Sequence, residues 1–139
     1  MFQQLPAAEI LFHGLALKPG KPTLVAQSGR KMLFGMPGHP LACAVVFKTL
    51  VKYYIDLVTC FKEKEYPVVC KLADNYKKAK GREEYIPVSI EEREDEFLAT
   101  PIVGKSGIIS TFSKAYGYFR KDKDSNEVNA GDVVAVYKL

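Results

Sequence analysis

The sequence predicts two unlike parts, an α/β part followed by a small all-β part. A run of about twenty residues without Gly or Pro, from Leu41 to Phe61, indicates one long helix preceded by short strands. After Pro67 the pattern changes to five short strand-like segments separated by charged turns, which is typical of a small open sheet or barrel. Alternating charges and a proline fill the space between these two patterns. We therefore predict domains at residues 1–62 and 63–139.

The first part is predicted to contain a strand, a hairpin and the long helix. Ile10 to Leu17 is strand-like, and two short apolar segments around the polar turn at 27–30 indicate a hairpin. Pro40 stands where the first helical residue is expected. Polar residues form only a narrow stripe along the helix, so we expect most of it to be buried, including Cys43 and Cys60.

The second part is predicted to be a compact β module. Its predicted strands are Val68–Ala73, Glu84–Ile90, Phe97–Pro101, Tyr116–Arg120 and Asp132–Tyr137. The acidic run at 91–96 lies between two of them, so we interpret it as a solvated hairpin turn rather than a metal site. A short helical turn capped by Ser106 is expected at 108–114.

Composition excludes several classes of protein. At 139 residues and 47% hydrophobic content the chain can form a packed core. Charged residues interrupt every long apolar run, no secretory signal is evident, and the three cysteines are widely spaced. These features predict a cytoplasmic protein without membrane spans, disulfides or a zinc site.

The positive charge is concentrated in the first part. Residues 1–60 contain six Lys or Arg against two acidic residues, whereas residues 61–139 contain 14 of each sign. This local excess favours a small anionic ligand. It is too modest, and too poor in arginine, to make nucleic acid the first choice, and RNA binding is the weakest hypothesis we consider.

Two Pro/Gly-rich loops carry the functional prediction. Lys18 to Pro22 reads Lys-Pro-Gly-Lys-Pro, and Gly35 to Pro40 reads Gly-Met-Pro-Gly-His-Pro and leads directly into the helix. The first turn of a helix has unpaired N–H groups and a partial positive charge, and glycines allow close approach of an anion. Lysines add full charges, so phosphate is the simplest ligand. From spacing alone, both loops can also be ordinary connectors.

The order of these motifs resembles one known family. The segment from Phe12 through the Lys-Pro-Gly-Lys-Pro loop, the hairpin, and Phe34 to Pro40 opening a helix is similar to the C-terminal half of the MoeA family. These are the molybdopterin molybdenumtransferases, which are related to the E domain of gephyrin. The resemblance continues through Gly81–Tyr85, Ser106–Ser110 and Ala130–Val133.

The resemblance implies a fold and an activity. It implies the C-terminal piece of a MoaB/MogA-like parallel α/β domain, whose earlier strands precede residue 1, followed by a small barrel-like C-terminal domain. Family members insert molybdenum from molybdate into adenylated molybdopterin and release AMP, with Mg²⁺ as a helper. The resemblance further implies a homodimer and a MogA-type adenylyltransferase as a partner. The acidic catalytic and metal-binding residues of the family lie upstream, so this chain alone should be inactive.

The resemblance also implies a set of substrate-binding residues. The lysines are expected to contact phosphate or molybdate, the glycine-proline residues to shape the loop at the helix start, and Ser106 and Arg82 to lie near the cleft. The full set is Lys18, Pro19, Gly20, Lys21, Gly35, Pro37, Gly38, His39, Pro40, Arg82 and Ser106. His39 replaces the usual asparagine of the family, and Pro87 replaces a usual basic residue, so one anion contact is expected to be missing.

A second hypothesis is a scaffold without catalysis. The region of gephyrin that corresponds to this chain binds a receptor peptide between subunits. The aromatic residues Tyr116, Tyr118 and Phe119 would suit such a peptide contact.

Overall fold

The computed structural model describes residues 8–77, 81–94, 96–103, 113–124 and 127–139. The first part begins with strand β1 (Ala8–His13), the two-residue strand β2 (Leu17–Lys18) and the hairpin strands β3 (Leu24–Ser28) and β4 (Lys31–Gly35). Strands β1, β3 and β4 form one sheet in that order, and both pairings are antiparallel. The parallel strands implied by the resemblance were expected upstream of residue 1, so this sheet does not test them.

The hairpin is held by a glycine turn and a buried face. Gly29 has φ +58°, a conformation that glycine adopts without steric cost, and its carbonyl oxygen accepts a hydrogen bond of 2.9 Å from Gln27 Nε2. Val25 and Ala26 of β3 are buried. At the other end of the hairpin Leu24 pairs with Gly35, so the segments before β3 and after β4 leave from the same end.

One long helix follows the hairpin, as predicted. Helix α1 (Pro40–Val46), a π-helical segment (Phe47–Val51) and helix α2 (Lys52–Thr59) follow one another without a break. Pro40 stands in the first turn, which needs no N–H donor there. The helix ends at Cys60, whose φ of +54° is left-handed.

The prediction that most of this helix is buried is wrong. Only residues of α1 are buried, and α2 contains no buried residue. The exposed large apolar side chains in and just beyond it are Phe47, Tyr53, Ile55, Leu57, Val58 and Phe61. Cys60 is exposed too, and Cys43 is half-buried. Apolar periodicity identifies the apolar face of a helix, but it does not show whether another element of the same chain covers that face.

The second part is a closed barrel of five strands. The strands are β5 (Val68–Leu72), β6 (Tyr76–Lys77), β7 (Glu83–Arg93), β8 (Glu96–Pro101), β9 (Gly117–Lys121), β10 (Glu127–Val128) and β11 (Val133–Lys138). The barrel order is β7, β8, β5, β11, β9 and back to β7, and within the barrel only the β5–β8 pairing is parallel. A separate two-stranded sheet joins β6 to β10. The five predicted strands and the hairpin at the acidic run are confirmed.

The barrel has an apolar interior because its strands alternate. Its core consists of Cys70, Leu72, Ile86, Val88, Ala99, Phe119, Val134 and Val136. Glu84 and Lys121, which are 2% and 3% exposed, are opposite partners on β7 and β9. Gly117 lies so close to the Tyr137 carbonyl oxygen that a side chain would collide with it. The absence of a side chain at Gly117 therefore allows β9 and β11 to approach closely at this point.

The two parts are joined by strand pairing and by a lysine. Strand β2 pairs in parallel with the start of β7, with Leu17 opposite Glu83 and Lys18 opposite Glu84. Lys48 of the helix donates a 2.7 Å hydrogen bond to the Lys138 carbonyl oxygen at the end of β11. No helix among the described residues is long and apolar enough to cross a membrane.

Candidate functional site

The segment Lys18–Pro22, here called the lysine loop, is closed by hydrogen bonds at its base. Gly14 donates to the Thr23 carbonyl oxygen at 2.7 Å, and Leu15 donates to the Lys21 carbonyl oxygen at 3.0 Å. The buried Thr23 hydroxyl donates to the Gly20 carbonyl oxygen at 2.7 Å. These bonds fix the backbone between two lysines whose side chains are exposed. The Lys18–Pro19 peptide bond is cis.

Gly20 brings the lysine loop against the helix. Its φ is +131°, and a Cβ atom at this position would lie 2.5 Å from Leu17 Cδ1 and 2.6 Å from Val46 Cγ2. Such distances are shorter than side chains tolerate, so only glycine fits here. The lysine loop therefore packs directly on the helix that the second loop begins.

The second loop, Gly35–Pro40, is here called the glycine-proline loop. Pro37 is buried, whereas Gly38, His39 and Pro40 are exposed. His39 is the N-cap residue, its side chain makes no capping hydrogen bond, and its carbonyl oxygen accepts from the Cys43 amide at 2.8 Å. A Cβ atom on Gly38 would meet nothing within 4 Å, so the space beside the helix start is open.

The structure brings most of the predicted residues to one region. The register of the hairpin places both loops at the same end, and Gly20 contacts the helix. Arg82 is exposed. The next residue, Glu83, donates its amide to the Ala16 carbonyl oxygen at 3.2 Å, so the backbone of Arg82 lies beside the base of the lysine loop. Ser106 lies outside the described residues.

Sequence reasoning missed a crevice between the helix and the barrel. Its volume is about 450 Å³, and it is lined by Thr49, Glu65, Tyr85, Tyr118, Arg120, Val133, Val134, Ala135 and Tyr137. We call it the tyrosine crevice. The three tyrosines of the crevice point outward from three different barrel strands. Strand alternation could have predicted this, because residues next to an inward-facing core residue must face outward. Pro87, where the resemblance leads one to expect a basic residue, pairs with Tyr118.

The tyrosines of this crevice contact each other in a fixed geometry. Tyr118 and Tyr137 are stacked with ring centroids 6.0 Å apart, and Tyr85 meets Tyr118 edge-on at 5.4 Å. The Tyr85 hydroxyl donates to Glu83 Oε1 at 2.6 Å, and Arg120 Nε lies 3.5 Å from the same oxygen. Burial, and secondly the charge of Glu65, raises the pKa of Tyr118 to about 12.

Among the described residues no group of three or more His, Cys, Asp or Glu side chains could hold a metal ion. The prediction of a peptide contact on β9 can be compared with the structure directly. Phe119 is 1% exposed and belongs to the barrel core, so its predicted contact with a peptide is wrong. Tyr118 is 5% exposed, and Tyr116, at 42%, is the exposed member of this aromatic group. Alternation along β9 turns neighbouring aromatic residues to opposite faces.

The fold and the loops define a class of protein. A unit with a glycine-proline loop before a long helix is followed by a closed five-stranded barrel, and a short parallel strand pair joins the two. The family described as "MoeA C-terminal region (domain IV)" matches residues 69–139, and the family "Probable molybdopterin binding domain" matches residues 1–56. The chain therefore belongs to the MoeA family.

Curated relatives and solved structures agree with this assignment. The molybdopterin molybdenumtransferase of Bacillus subtilis is 27% identical over 144 residues, with 97% of this chain and 33% of the relative covered. The enzyme of the same name from Haemophilus influenzae is 28% identical, with 92% and 33% covered. The molybdopterin biosynthesis MoeA protein of Pyrococcus horikoshii OT3 superposes with a TM-score of 0.78 at 28% identity, covering 94% of this chain and 32% of that one.

A second solved structure covers more of the relative. The molybdenum cofactor biosynthesis protein of Pyrococcus furiosus superposes with a TM-score of 0.77 at 29% identity, covering 95% of this chain and 46% of that one. This chain spans about a third of the length of the curated relatives named above.

Proposed function

We propose that this chain forms the phosphate-binding part of a molybdopterin molybdenumtransferase site. The reaction is the insertion of molybdenum from molybdate into adenylated molybdopterin, with release of AMP. The names of the relatives and the matched molybdopterin-binding domain support this proposal. Its substrate-binding residues are those of the lysine loop, the glycine-proline loop and Arg82, together with Ser106 by resemblance.

The observation that carries the proposal is the packing of the lysine loop on the helix. Two exposed ammonium groups stand on a loop that hydrogen bonds and Gly20 hold in place. The glycine-proline loop leaves the hairpin at the same end and opens into a helix whose N-cap side chain makes no capping bond. Lysine charge and helix N–H groups are a suitable combination for an anion of two or more charges.

These residues act by binding and charge neutralisation. Ligand exchange at molybdenum requires the substrate anions to be held together, and it requires no nucleophile from the protein. Lys18 and Lys21 would neutralise phosphate or molybdate. The fixed glycine-proline loop would orient the terminal phosphate of the pterin. Because the described residues show no metal-binding cluster, we assign no step of the reaction to Mg²⁺ on them.

We also propose that the protein acts as a cytoplasmic homodimer that receives its substrate from a MogA-type adenylyltransferase. The exposed apolar residues of α2 support a dimer, because a second protein surface would cover them. Sedimentation equilibrium of the chain tests the dimer, and a monomer at micromolar concentration would contradict it.

Binding of molybdopterin to charge variants tests the assignment of the site. Lys18→Ala combined with Lys21→Ala should weaken molybdopterin binding at low salt by about tenfold or more, because charge-assisted contacts to phosphate are lost. The matched control is Arg30→Ala with Lys31→Ala. These two exposed cations lie at the opposite end of the hairpin, about 13 Å away along the strands.

The control separates a local contact from a general charge effect. Both double variants lower the net charge by the same amount, so a field effect of the whole chain would reduce binding equally in both. Equal losses in the two variants, or unchanged affinity in the lysine-loop variant, would refute the proposed site.

A further inference from the structure

We propose that the tyrosine crevice binds the pterin ring of the substrate. This inference rests on the proposed function for the choice of ligand, but a different cavity and different residues carry it. The crevice lies between helix residue Thr49, linker residue Glu65 and the outward face of the barrel. Its volume of about 450 Å³ falls within the range of small-molecule sites, which is roughly 300–1,000 Å³.

The tyrosines provide a surface for a flat aromatic ring. Tyr118 and Tyr137 are nearly parallel, with 26° between their planes, and Tyr85 stands edge-on to Tyr118. Tyr137 is only half-buried, so part of its side chain remains accessible to a ligand. Stacking on such rings is a common way to hold fused nitrogen heterocycles.

The polar groups of the crevice favour a ring with neighbouring N–H donors. Tyr118 lines the crevice, and its hydroxyl makes no hydrogen bond to any residue that the structure describes. A tyrosine hydroxyl is both a donor and an acceptor, so a ligand in the crevice can bond to it. Glu65 accepts from Lys48 Nζ through Oε1, at 3.4 Å, and its carboxylate has further acceptor capacity.

These groups match a pterin better than an adenine. The pterin ring presents an amino group beside a ring N–H, a pair of donors that one carboxylate can accept together, and it also carries acceptors for a tyrosine hydroxyl. Adenine places a ring acceptor beside its amino group, which would face the Glu65 carboxylate unfavourably. The Tyr118 hydroxyl is a donor at neutral pH, as an ordinary tyrosine hydroxyl is, and burial raises its pKa further to about 12.

The crevice lies next to the lysine loop along the same helix. Gly20 of the loop contacts Val46, and Thr49 lines the crevice three residues later, which is about one helical turn. One molecule with a flat ring and a phosphate could therefore occupy both places. The ring would lie in the crevice and the phosphate at the loop.

Titration of the chain with free pterin, which has no phosphate, tests this inference. Quenching of the pterin fluorescence reports stacking, and the chain contains no tryptophan to interfere. Tyr118→Phe should weaken binding about three- to tenfold by loss of one hydrogen bond, and Tyr137→Ala at least about tenfold by loss of stacking. Tyr53→Phe, at an exposed helical tyrosine outside the crevice, is the matched control and should change nothing.

A second pair of variants tests the carboxylate. Glu65→Gln should weaken pterin binding, whereas Glu63→Gln, at a linker residue that pairs with Lys52 and does not line this crevice, should not. Thermal melting of each variant shows that it is folded. Adenosine, added as a competitor of bound pterin, should displace it only at concentrations well above those at which pterin itself binds.

The outcomes distinguish this inference from the proposed function. The lysine-loop variant should bind free pterin normally, although it loses molybdopterin. Absence of pterin binding to the parent chain, an unchanged affinity in Tyr118→Phe, or tighter binding of adenosine would each overturn the inference. The lysine loop would still be supported if its own variants weakened molybdopterin binding.

Discussion

Replacing Gly20 with alanine tests the contact between the lysine loop and the helix. The added Cβ atom would lie 2.5 Å from Leu17 Cδ1 and 2.6 Å from Val46 Cγ2, well inside van der Waals contact. It would also have to adopt a φ of +131°, which side chains rarely tolerate. Both effects act on the folded state, so we expect the variant to be less stable and its loop to move off the helix.

A second glycine with positive φ gives a lower bound for the backbone cost. Gly29 has φ +58°, and a Cβ atom there would meet nothing within 4 Å, so Gly29→Ala bears only the cost of the left-handed conformation, about 1–2 kcal/mol. At φ +131° Gly20→Ala bears at least that backbone cost, and it adds overpacking of about 1–3 kcal/mol. We therefore expect a total loss of about 2–5 kcal/mol, a large part of the roughly 5–15 kcal/mol that stabilises a domain.

Urea unfolding followed by circular dichroism measures both free energies. A double-mutant cycle with Val46→Ala removes one of the two colliding atoms and should recover part of the Gly20→Ala loss, giving a coupling free energy of about 1 kcal/mol. Equal destabilisation by Gly20→Ala and Gly29→Ala, together with zero coupling to Val46, would refute the packing of the loop on the helix.

Three further predictions concern stability. The pKa of Tyr118 is raised to about 12, so the unfolded chain releases this proton first and the free energy of unfolding falls as the pH rises from 10 to 12. Tyr118 should contribute up to about 2 kcal/mol of this fall, and Tyr85, whose pKa burial also raises, should contribute too. Tyr118→Phe should therefore reduce the alkaline loss without abolishing it, and an unchanged profile would contradict the shift. Lys48→Met should lower the free energy of unfolding, measured in urea, by about 1 kcal/mol, because it removes the hydrogen bond from the helix to the barrel. Lys52→Met should lower it less, because the ion-pair partners of Lys52 are local. Phe119→Ala should cost about 3–5 kcal/mol and Tyr116→Ala under about 1 kcal/mol in the same assay, and similar losses would contradict the assigned core.

Much of the fold could be predicted because its signals are local. The glycine turn of the hairpin, Pro40 at the helix start and the alternation in the barrel strands each act within a few residues. The closure of the barrel could not be predicted from such local signals. It depends on the pairing of β7 with β9, two strands that are more than twenty residues apart in the sequence.

The exposure of the helix and the tyrosine crevice could not be predicted from the sequence. Phe47, Ile55 and Val58 follow the pattern of a buried face, but no element described in this chain covers them. Tyr118 and Phe119 are both buried, but Tyr118 faces the crevice and Phe119 faces the barrel core, and only the strand register decides which faces which. The lysine and glycine-proline loops were predicted as a unit because each carries its own motif. Their role as a binding site, and the domain boundary at residue 62, stay predictions.

The short pairing of β2 with β7 couples the position of the lysine loop to the position of the barrel. Strand β8 pairs only with β7 residues from Val88 onward, so the first residues of β7 have an edge that β2 occupies, with Lys18 opposite Glu84. Any rigid displacement of the barrel would therefore pull the adjoining lysine with it. If the lysine loop binds a phosphate as proposed, movement of the barrel away from the helix would displace Lys18 and release the ligand in the same motion.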